Sequence, residues 1–298
     1  MRLRRVLLLG GTGRLGGAVR RAAGEARDVA LTAPSRHELD LATVTATALD
    51  AMLGSPLYDV VLNCAAEARV DVCETERAAA WRLNATAPGL LAAACARWDL
   101  PFIHVSTDYV FGHEDGPPGP HAEHAPRHPA QHYGASKAAG EEAVRAVAGR
   151  RTIARVSWLF GPDGNPFQDF VLGQARAGGP VAVFQDQASR PTWLPGLARW
   201  LLPLGRVMVD GAFVPDVLHP AGGPGVTRGA WARAILDAHG FAGMEVVDQA
   251  PRSGLAPRPR DSRLAHDRTD DWIRATWGAT LPDWRDFVAA RIEGGSTP

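Results

Sequence analysis

Short apolar runs alternate with helix-like patterns over the first half of the chain. The apolar runs predict strands over residues 6–9, 29–32, 58–63, 102–108 and 152–158. Strong helix formers between them predict helices over residues 18–26, 74–98 and 133–145, the second with a kink at Pro88-Gly89. Strands that are apolar throughout are buried on both faces, as in sheets covered by helices on each side. The pattern therefore predicts an α/β fold with a doubly wound parallel sheet.

The regular alternation of strands and helices ends after the fifth predicted strand. A helix over residues 165–177 and a strand over 181–184 are followed by shorter, proline-rich stretches. This change predicts a sheet lobe over residues 1–160 and a smaller lobe over 161–298. No internal repeat or low-complexity linker separates the two, so we expect them to be packed together and interleaved. The tail after Glu293 is expected to be disordered.

A glycine-rich turn follows the first strand. Gly10, Gly13 and Gly16 fit G-x-x-G-x-x-G, and Gly11 with the last two fits G-x-G-x-x-G. Glycines at these positions permit a tight turn and let a pyrophosphate approach the N-terminus of the next helix. Placed between a strand and a helix, the motif predicts a Rossmann-type, dinucleotide-binding domain over residues 1–160. A glycine-rich turn without a ligand is the alternative.

The end of the second strand bears on the choice of cofactor. A strictly NAD-dependent protein would carry an acid here to bind the ribose 2′-hydroxyl. This chain has Ser35 and Arg36 in the stretch 33–36, which contains no acid. A hydroxyl and a guanidinium suit a 2′-phosphate, so NADPH is the predicted cofactor, with NADH use left open. The alternative for Arg36 is a solvated side chain.

Small and hydroxyl side chains follow the third and fourth strands. Cys64, Ala65 and Ala66 would let backbone approach a ligand closely, and Ser106 and Thr107 end the fourth strand. Ligands of an open parallel sheet bind beyond the carboxyl ends of its strands. These residues are therefore expected to face the crevice to which the glycine turn points.

Tyr133 and Lys137 lie four residues apart on a predicted helix, so their side chains share one face. A lysine cation nearby favours the phenolate, and we expect it to lower the pKa of the tyrosine. Such a pair can exchange a proton with a substrate oxygen. The alternative is a surface helix with a cation over a ring.

Composition and charge exclude several classes of function. Lys plus Arg and Asp plus Glu number 32 each, with no basic stripe, so neither nucleic acid nor a membrane surface is an expected partner. Cys64, Cys73 and Cys95 are expected to be buried thiols in a reducing compartment. Residues 6–9 are too short for the core of a signal peptide, and no stretch reaches transmembrane length, which predicts a cytoplasmic protein. The five histidines of residues 112–132 are expected in a solvated loop, without a metal.

By these residues the chain resembles the dTDP-4-dehydrorhamnose reductase family of the extended short-chain dehydrogenase/reductases. The resemblance runs nearly end to end. The motifs that carry it, after the glycine turn, are residues 63–66 (NCAA), 104–111 (HVSTDYVF), 133–137 (YGASK), 157–161 (SWLFG), 258–259 (RP) and 281–285 (LPDWR). The family's activity implies reduction of the 4-keto group of a nucleotide-linked 6-deoxy sugar, in deoxysugar biosynthesis.

The resemblance implies a catalytic triad of Thr107, Tyr133 and Lys137. Predicted cofactor-binding residues are Gly10, Gly13, Arg14, Leu15, Gly16, Ser35, Arg36, Asp40, Leu41, Cys64, Ala65, Ala66, Asn84, Tyr133 and Lys137. Predicted substrate-binding residues are Ser106, Asp108, Tyr109, Trp158 and Asn165. For Asn84 a capping role on a neighbouring loop is an equal alternative, and for Trp158 a place in the core.

Four departures from the family pattern leave the sugar open: Glu67, Gly112-His113, Ser189 and Asp261. Two other readings also stay open. One is a nucleotide-sugar dehydratase or epimerase, although Tyr109 follows Asp108 where family dehydratases have a second acid. The other is a non-catalytic, NADP-binding regulatory subunit. The nucleotide carrier, the product stereochemistry and the oligomeric state are undecided, and the family allows a homodimer with or without an interface metal.

Overall fold

The computed structural model describes residues 4–162, 165–249 and 254–290. Twelve strands and ten α-helices were assigned in this part of the chain. The strands are β1 (Arg4–Leu9), β2 (Val29–Thr32), β3 (Val60–Asn63), β4 (Phe102–Thr107), β5 (Arg151–Val156), β6 (Leu159–Phe160), β7 (Val181–Val183), β8 (Ala188–Ser189), β9 (Thr192–Trp193), β10 (Val217–Leu218), β11 (Val226–Thr227) and β12 (Val246–Asp248). The helices are α1 (Arg14–Glu25), α2 (Ala46–Leu53), α3 (Val70–Thr75), α4 (Arg77–Trp81), α5 (Ala87–Arg97), α6 (His132–Arg145), α7 (Pro166–Arg176), α8 (Leu194–Val209), α9 (Arg228–Ala238) and α10 (Asp267–Trp277).

A six-stranded parallel sheet forms the centre of the molecule, in the order β2-β1-β3-β4-β5-β10. Alternate residues of β1 enter two different apolar clusters. Val6 and Leu8 pack with α1 and α8 on one face, and Leu7 and Leu9 pack with α2 and α5 on the other. Burial on both faces explains why the strand is apolar throughout. The predicted α/β fold with a doubly wound sheet is confirmed.

The chain returns to the sheet after it has started the second lobe. Helix α8 packs against α1, and β10 pairs with β5 at the edge of the sheet. The second lobe has its own core, in which Val171, Trp231 and Ile235 are buried. Short pairs of strands (β6 with β9, β7 with β12, β8 with β11) frame that core. Helix α8 and strand β10 thus belong with the sheet, although they follow the start of the second core in the chain.

The region predicted as one kinked helix over residues 74–98 is divided into several pieces. Glu76 leaves the helical conformation between α3 and α4, and Arg82–Thr86 forms a π-helical turn before α5. Pro88 lies in the first turn of α5, directly after the wide π-helical turn that carries Asn84. The kink at Pro88-Gly89 stays a prediction.

Two further expectations about individual side chains need correction. Cys73 and Cys95 are buried, but Cys64 is only half-buried and lies in the wall of a cleft. Of the five histidines predicted in a solvated loop, His132 begins α6. His121 is buried, stacks on Phe111 with ring centroids 4.3 Å apart, and lies 3.1 Å from the Asp261 carbonyl.

Residues 4–162, 165–249 and 254–290 contain no helix long and apolar enough to cross a membrane. Within the same ranges, no three His, Cys, Asp or Glu side chains are grouped so that they could hold a metal ion. The predicted disordered tail after Glu293 lies outside the described residues.

Candidate active site

A cleft of about 470 Å³ opens at the carboxyl ends of the sheet strands, between the two lobes. Residues of the glycine turn line this cleft, as do Arg228 and Trp231 of α9. Most of the residues predicted to bind ligands line it: Gly13, Arg14, Leu15, Gly16, Cys64, Ala66, Ser106, Thr107, Asp108, Tyr109, Tyr133, Lys137, Trp158 and Asn165.

The glycine turn leaves an open space at the N-terminus of α1. Gly10 has φ 78°, a conformation that favours glycine. A side chain on Gly16 would overlap the Gly10 carbonyl oxygen, so the turn can close only with glycine there. No side chain caps α1 and no acid lies in its first turn, which leaves the positive end of the helix dipole for an anion. This arrangement fits the pyrophosphate of a dinucleotide.

The residues that follow β2 lie outside the main cleft. Arg36 is 78% exposed and pairs with Asp40 at 3.5 Å, whereas Leu41 is buried in the core. An acid reaches this point after all, because the Glu38 carboxylate accepts a hydrogen bond of 2.7 Å from the Ser35 N–H. The prediction of NADPH rested on residues 33–36 alone and did not include Glu38.

Asn84 has a structural role, as expected if it caps a neighbouring loop. Its Oδ1 accepts from the Glu67 N–H at 2.9 Å, and its Nδ2 donates to the Glu67 carbonyl and to Ser136 Oγ, both at 3.0 Å. These bonds hold the loop after β3 against α6. Ala65 and Gly10 approach closely at the start of the same loop, where a side chain on Gly10 would overlap Ala65.

Thr107, Tyr133 and Lys137 meet at the bottom of the cleft. Thr107 ends β4, while Tyr133 and Lys137 lie one turn apart on α6. The Tyr133 hydroxyl hydrogen-bonds the Thr107 side chain. Lys137 Nζ donates to the Val105 carbonyl at 2.8 Å and contacts His104 Nε2 at 3.2 Å. Two hydroxyl groups therefore meet where a carbonyl group could lie, and Lys137 lines the same cleft.

Burial shifts the pKa values of this pair in opposite directions. It raises the pKa of the Tyr133 phenol, an effect that the Thr107 hydrogen bond only partly offsets. It lowers the pKa of Lys137 to about 8, against the opposing influence of Glu141. The expected depression of the Tyr133 pKa by Lys137 is absent in the protein alone. Tyr133 is therefore a neutral hydroxyl, ready to donate, at neutral pH.

Asp108 is buried and held by hydroxyl groups from three segments. Its Oδ1 accepts from Thr107 Oγ1 at 3.1 Å, and its Oδ2 accepts from Ser189 and Ser262 at 2.7 and 2.6 Å. Burial raises its pKa to about 6, although these donors act in the opposite sense. Ser189, one of the departures from the family pattern, thus fixes the residue beside Thr107.

Ser106 also has a partner inside the protein. Its hydroxyl donates to Glu141 Oε1 at 2.6 Å, and Glu141 forms a bidentate pair with Arg155 at 2.6 and 2.8 Å. Burial would raise the pKa of Glu141, but Arg155 and Ser106 together lower it. The Ser106 side chain supports the floor of the cleft in this state.

The substrate side of the cleft contains an arginine among aromatic rings. The guanidinium carbon of Arg228 lies 3.7 Å from the ring centre of Trp158 and 4.4 Å from that of Phe167. Burial lowers the pKa of Arg228 to about 10, so it stays charged at neutral pH. Trp158 has φ 40°, a strained value for a bulky residue, which turns the chain out of the sheet.

Sequence reasoning missed Arg228, and no motif could have found it. Arg228 belongs to the site because it packs against the rings of Trp158 and Phe167, which are distant from it in the sequence. Tyr109 stacks edge-on against Tyr133, with centroids 5.9 Å apart, and hydrogen-bonds Arg228. Asn165 caps α7 through its Oδ1, and its buried Nδ2 has no hydrogen-bond partner among the described residues.

A second cavity of about 360 Å³ lies next to the first. Tyr109, Phe167 and Arg228 line both cavities. The rest of its wall contains apolar side chains and Arg258, whose guanidinium is paired with Asp71 at 2.8 Å.

Known proteins are similar to this chain in sequence. The chain is 37% identical to the dTDP-4-dehydrorhamnose reductase of Mycolicibacterium smegmatis over 248 residues, 80% of this chain and 72% of that one. It is 36% identical to a probable dTDP-4,6-dihydroxy-2-methyloxan-3-one 4-ketoreductase of Streptomyces antibioticus over 297 residues, 95% of this chain and 93% of that one.

A solved structure shows the same fold. The dTDP-4-dehydrorhamnose reductase of Bacillus anthracis, determined in complex with NADP, superposes with a TM-score of 0.80 at 24% identity over 97% of this chain and 98% of that one. The model of the RmlD substrate binding domain family matches residues 4–295. With its motifs, fold and cleft in agreement, the chain belongs to the RmlD substrate binding domain family.

Proposed function

We propose that the protein is an NADPH-dependent reductase of the 4-keto group of a nucleotide-linked 6-deoxy sugar. One observation carries the proposal: Thr107, Tyr133 and Lys137 converge at the bottom of a cleft that runs from the glycine turn to Arg228. The named activities of the two relatives, a 4-dehydrorhamnose reductase and a 4-ketoreductase, support it.

Each residue of the triad has a role in reducing a ketone. NADPH, when bound, supplies the hydride. Negative charge then develops on the ketone oxygen, and the Thr107 hydroxyl can turn from Asp108 to donate to it. Tyr133 gives the proton, since its raised pKa keeps it protonated at neutral pH. Acid catalysis of this kind contributes roughly 10²–10⁴-fold, and positioning of the reactants supplies the rest.

The cofactor would lie along the glycine turn. The N-terminus of α1 faces the pyrophosphate, and Arg36 beyond β2 can turn toward a 2′-phosphate. The solved Bacillus anthracis relative, which contains NADP, supports this choice. Lys137 can hold the nicotinamide ribose from its place beneath the cleft.

The nucleotide sugar would occupy the other end. The sugar would lie against Trp158 and Asn165, whose buried Nδ2 has no hydrogen-bond partner among the described residues and can donate to a sugar oxygen. Arg228 provides the positive charge for the diphosphate, and the second cavity provides room for the nucleoside.

The dehydratase alternative lacks a residue that its chemistry needs. Removal of water requires a second acid beside the catalytic hydroxyl, and Tyr109 occupies that place. A non-catalytic regulatory subunit would not need the convergence of the triad.

The test is the oxidation of NADPH, followed at 340 nm, with dTDP-4-keto-6-deoxy sugars as substrates and NADH as the comparison. We expect turnover with NADPH and its loss by roughly 10²–10⁴-fold in Tyr133→Phe, with cofactor binding retained. Tyr58→Phe, far from the cleft, is the matched control. Tight NADPH binding without turnover of any 4-keto sugar nucleotide would favour the regulatory role.

A further inference from the structure

His104 lies directly beneath Lys137 and is fully buried. Its Nε2 is 3.2 Å from Lys137 Nζ, and its Nδ1 is 3.2 Å from Asn63 Nδ2. Lys137 and Asn63 are each 1% exposed. The imidazole is thus enclosed between an amine and an amide, and the positions of the protons follow from what each neighbour can donate.

The orientation of the Asn63 amide is determined by the backbone. The Ala65 N–H can only donate, and its acceptor at 3.0 Å is Asn63 Oδ1. The NH₂ group of Asn63 must therefore point at His104, and His104 Nδ1 must accept. A neutral imidazole that accepts at Nδ1 carries its proton on Nε2.

That proton points at Lys137 Nζ. A charged ammonium has three donors and no acceptor, so it would meet the Nε2–H as one donor facing another. A neutral amine has a lone pair, which can accept from Nε2–H while an amine N–H donates to the Val105 carbonyl at 2.8 Å. When the Lys137 amine is neutral, each of the contacts from Asn63 through His104 to Lys137 joins one donor to one acceptor.

We propose that His104 is a positioning residue for the reductase reaction: Asn63 holds it as the Nε2-protonated tautomer, which donates to Lys137 and favours the neutral amine. The proposal rests on the function proposed above, in which Lys137 serves Tyr133 and the cofactor ribose. Protonation of the amine would turn one of its N–H groups toward the Nε2–H of His104, which disfavours the ammonium.

Other groups around Lys137 act on the same equilibrium. Glu141 lies one turn along α6 and favours the ammonium, but its charge is matched by Arg155. Cys64, from the loop after β3, also favours the ammonium, yet burial raises the pKa of its thiol to about 12 and keeps it neutral. Tyr133 is neutral. Burial and Lys137 both lower the pKa of His104, so the imidazole is not charged.

The first test reads the tautomer directly. In protein labelled with ¹⁵N-histidine and free of ligands, two-bond proton–nitrogen correlation spectra distinguish Nε2–H from Nδ1–H. We expect the Nε2–H pattern for His104. His219 is an internal control of opposite sign, because its Nδ1 lies 2.7 Å from the Ala265 carbonyl and must donate, giving Nδ1–H. An Nδ1–H or doubly protonated His104 overturns the proposal.

Asn63→Asp reverses the network with almost no change of shape. The carboxylate still accepts from Ala65, and it also accepts from His104, so we expect the spectrum of His104 to change to Nδ1–H. This change assigns the His104 signals and frees Nε2 to accept from the ammonium. The pKa of Lys137 should then rise, and the alkaline limb of kcat/KM, which we assign to the loss of the Lys137 proton, should move up by about 1 pH unit or more.

His104→Gln tests the effect of the His104 tautomer without the negative charge that Asn63→Asp adds. It introduces no carboxylate, and its amide oxygen can accept from the ammonium, so the alkaline limb should again move to higher pH. An alkaline limb at the wild-type position in folded His104→Gln would overturn the proposal. If the protein reduced no substrate at all, the proposed function would fail while the spectrum of the wild-type protein would still decide the tautomer.

Discussion

The residues at the bottom of the cleft owe their unusual pKa values to burial. The phenol of Tyr133 and the amine of Lys137 are both less stable when charged in these surroundings, so one pKa rises and the other falls to about 8. Asp108 follows the same rule, with a pKa of about 6. The shifts of Lys137 and Asp108 bring their proton exchange closer to neutral pH, whereas the shift of Tyr133 keeps the phenol protonated there.

Arg36 is the residue to test for cofactor preference. Its guanidinium is exposed and can leave Asp40 to pair with a 2′-phosphate. Hydrogen bonds to charged groups contribute about 1.5–3 kcal/mol, so Arg36→Ala should raise the KM for NADPH roughly 10–100-fold. The KM for NADH should change little, since NADH has no such phosphate. Initial rates with each cofactor measure both values.

Arg27→Ala is the matched control for this test. It removes the same charge from the opposite end of β2, where Arg27 is exposed. We expect the ratio of the two KM values to stay at the wild-type value in this variant. Equal losses with NADPH and NADH in Arg36→Ala would contradict a 2′-phosphate contact.

Sequence patterns identify those site residues whose neighbours are close in the chain. The glycine turn and the pair Tyr133 and Lys137 depend on local geometry, so spacing alone brings them to the cleft. Arg228 depends on rings from two other segments, and such a contact has no local pattern. Glu38 lies only three residues after Ser35, so its S-x-x-E spacing is a local signal, which lies beyond residues 33–36.

At the scale of elements, α6 carries two residues of the triad and packs tightly against the π-helical turn. Gly140 makes this possible, because a side chain there would overlap the carbonyl oxygen of Asn84. Asn84 in turn bonds Ser136 on the same helix. The wide turn and the glycine together set the distance of α6 from the sheet.

Gly140→Ala should therefore destabilise the protein. Overpacking of this kind costs about 1–3 kcal/mol, and the shift of α6 should reduce turnover as well. Gly173→Ala in α7 is the matched control, since the added methyl group meets nothing within 4 Å. That variant should be unchanged or stabilised by up to about 1 kcal/mol, because alanine is the better helix former. Urea unfolding measures both, and equal stability of the two variants would contradict this packing.

In the whole molecule, buried polar groups join segments that are far apart in the chain. Asp108 binds Ser189 and Ser262 from the second half, while Arg155 binds Glu141 and lies 3.2 Å from His219 Nε2. Charged groups at such junctions are stable only when fully partnered. The junctions hold the two lobes in the relation that the cleft requires.

Hydrophobic patterning predicted the sheet lobe because its first five strands are regular and followed by helices. It did not predict β10, which has two residues and derives its place from pairing with β5. Nor did it show α8 returning to the sheet, since an apolar helix face does not identify its partner. The assembly of the lobes is decided by contacts between distant segments, which periodicity does not record.

His219 gives the stability of the whole molecule a predictable dependence on pH. It is fully buried, and burial and Arg155 lower its pKa to about 3, from about 6.5 in an unfolded chain. Between these values the unfolded chain binds a proton that the native protein does not. Stability is therefore lost as pH falls below about 6.5, by up to about 1.4 kcal/mol per pH unit for this one group.

His219→Asn keeps a donor near Ala265 but removes the titration. At pH 8 the variant should be less stable by about 1–3 kcal/mol, because Arg155 loses an acceptor. At pH 4 this deficit should shrink by about 3 kcal/mol, since the wild-type protein alone has lost the contribution of His219. Urea unfolding across this range measures the difference. The exposed His37→Asn is the control and should follow the wild-type curve, whereas a deficit of His219→Asn that is the same at every pH would show that His219 can be charged in the native protein.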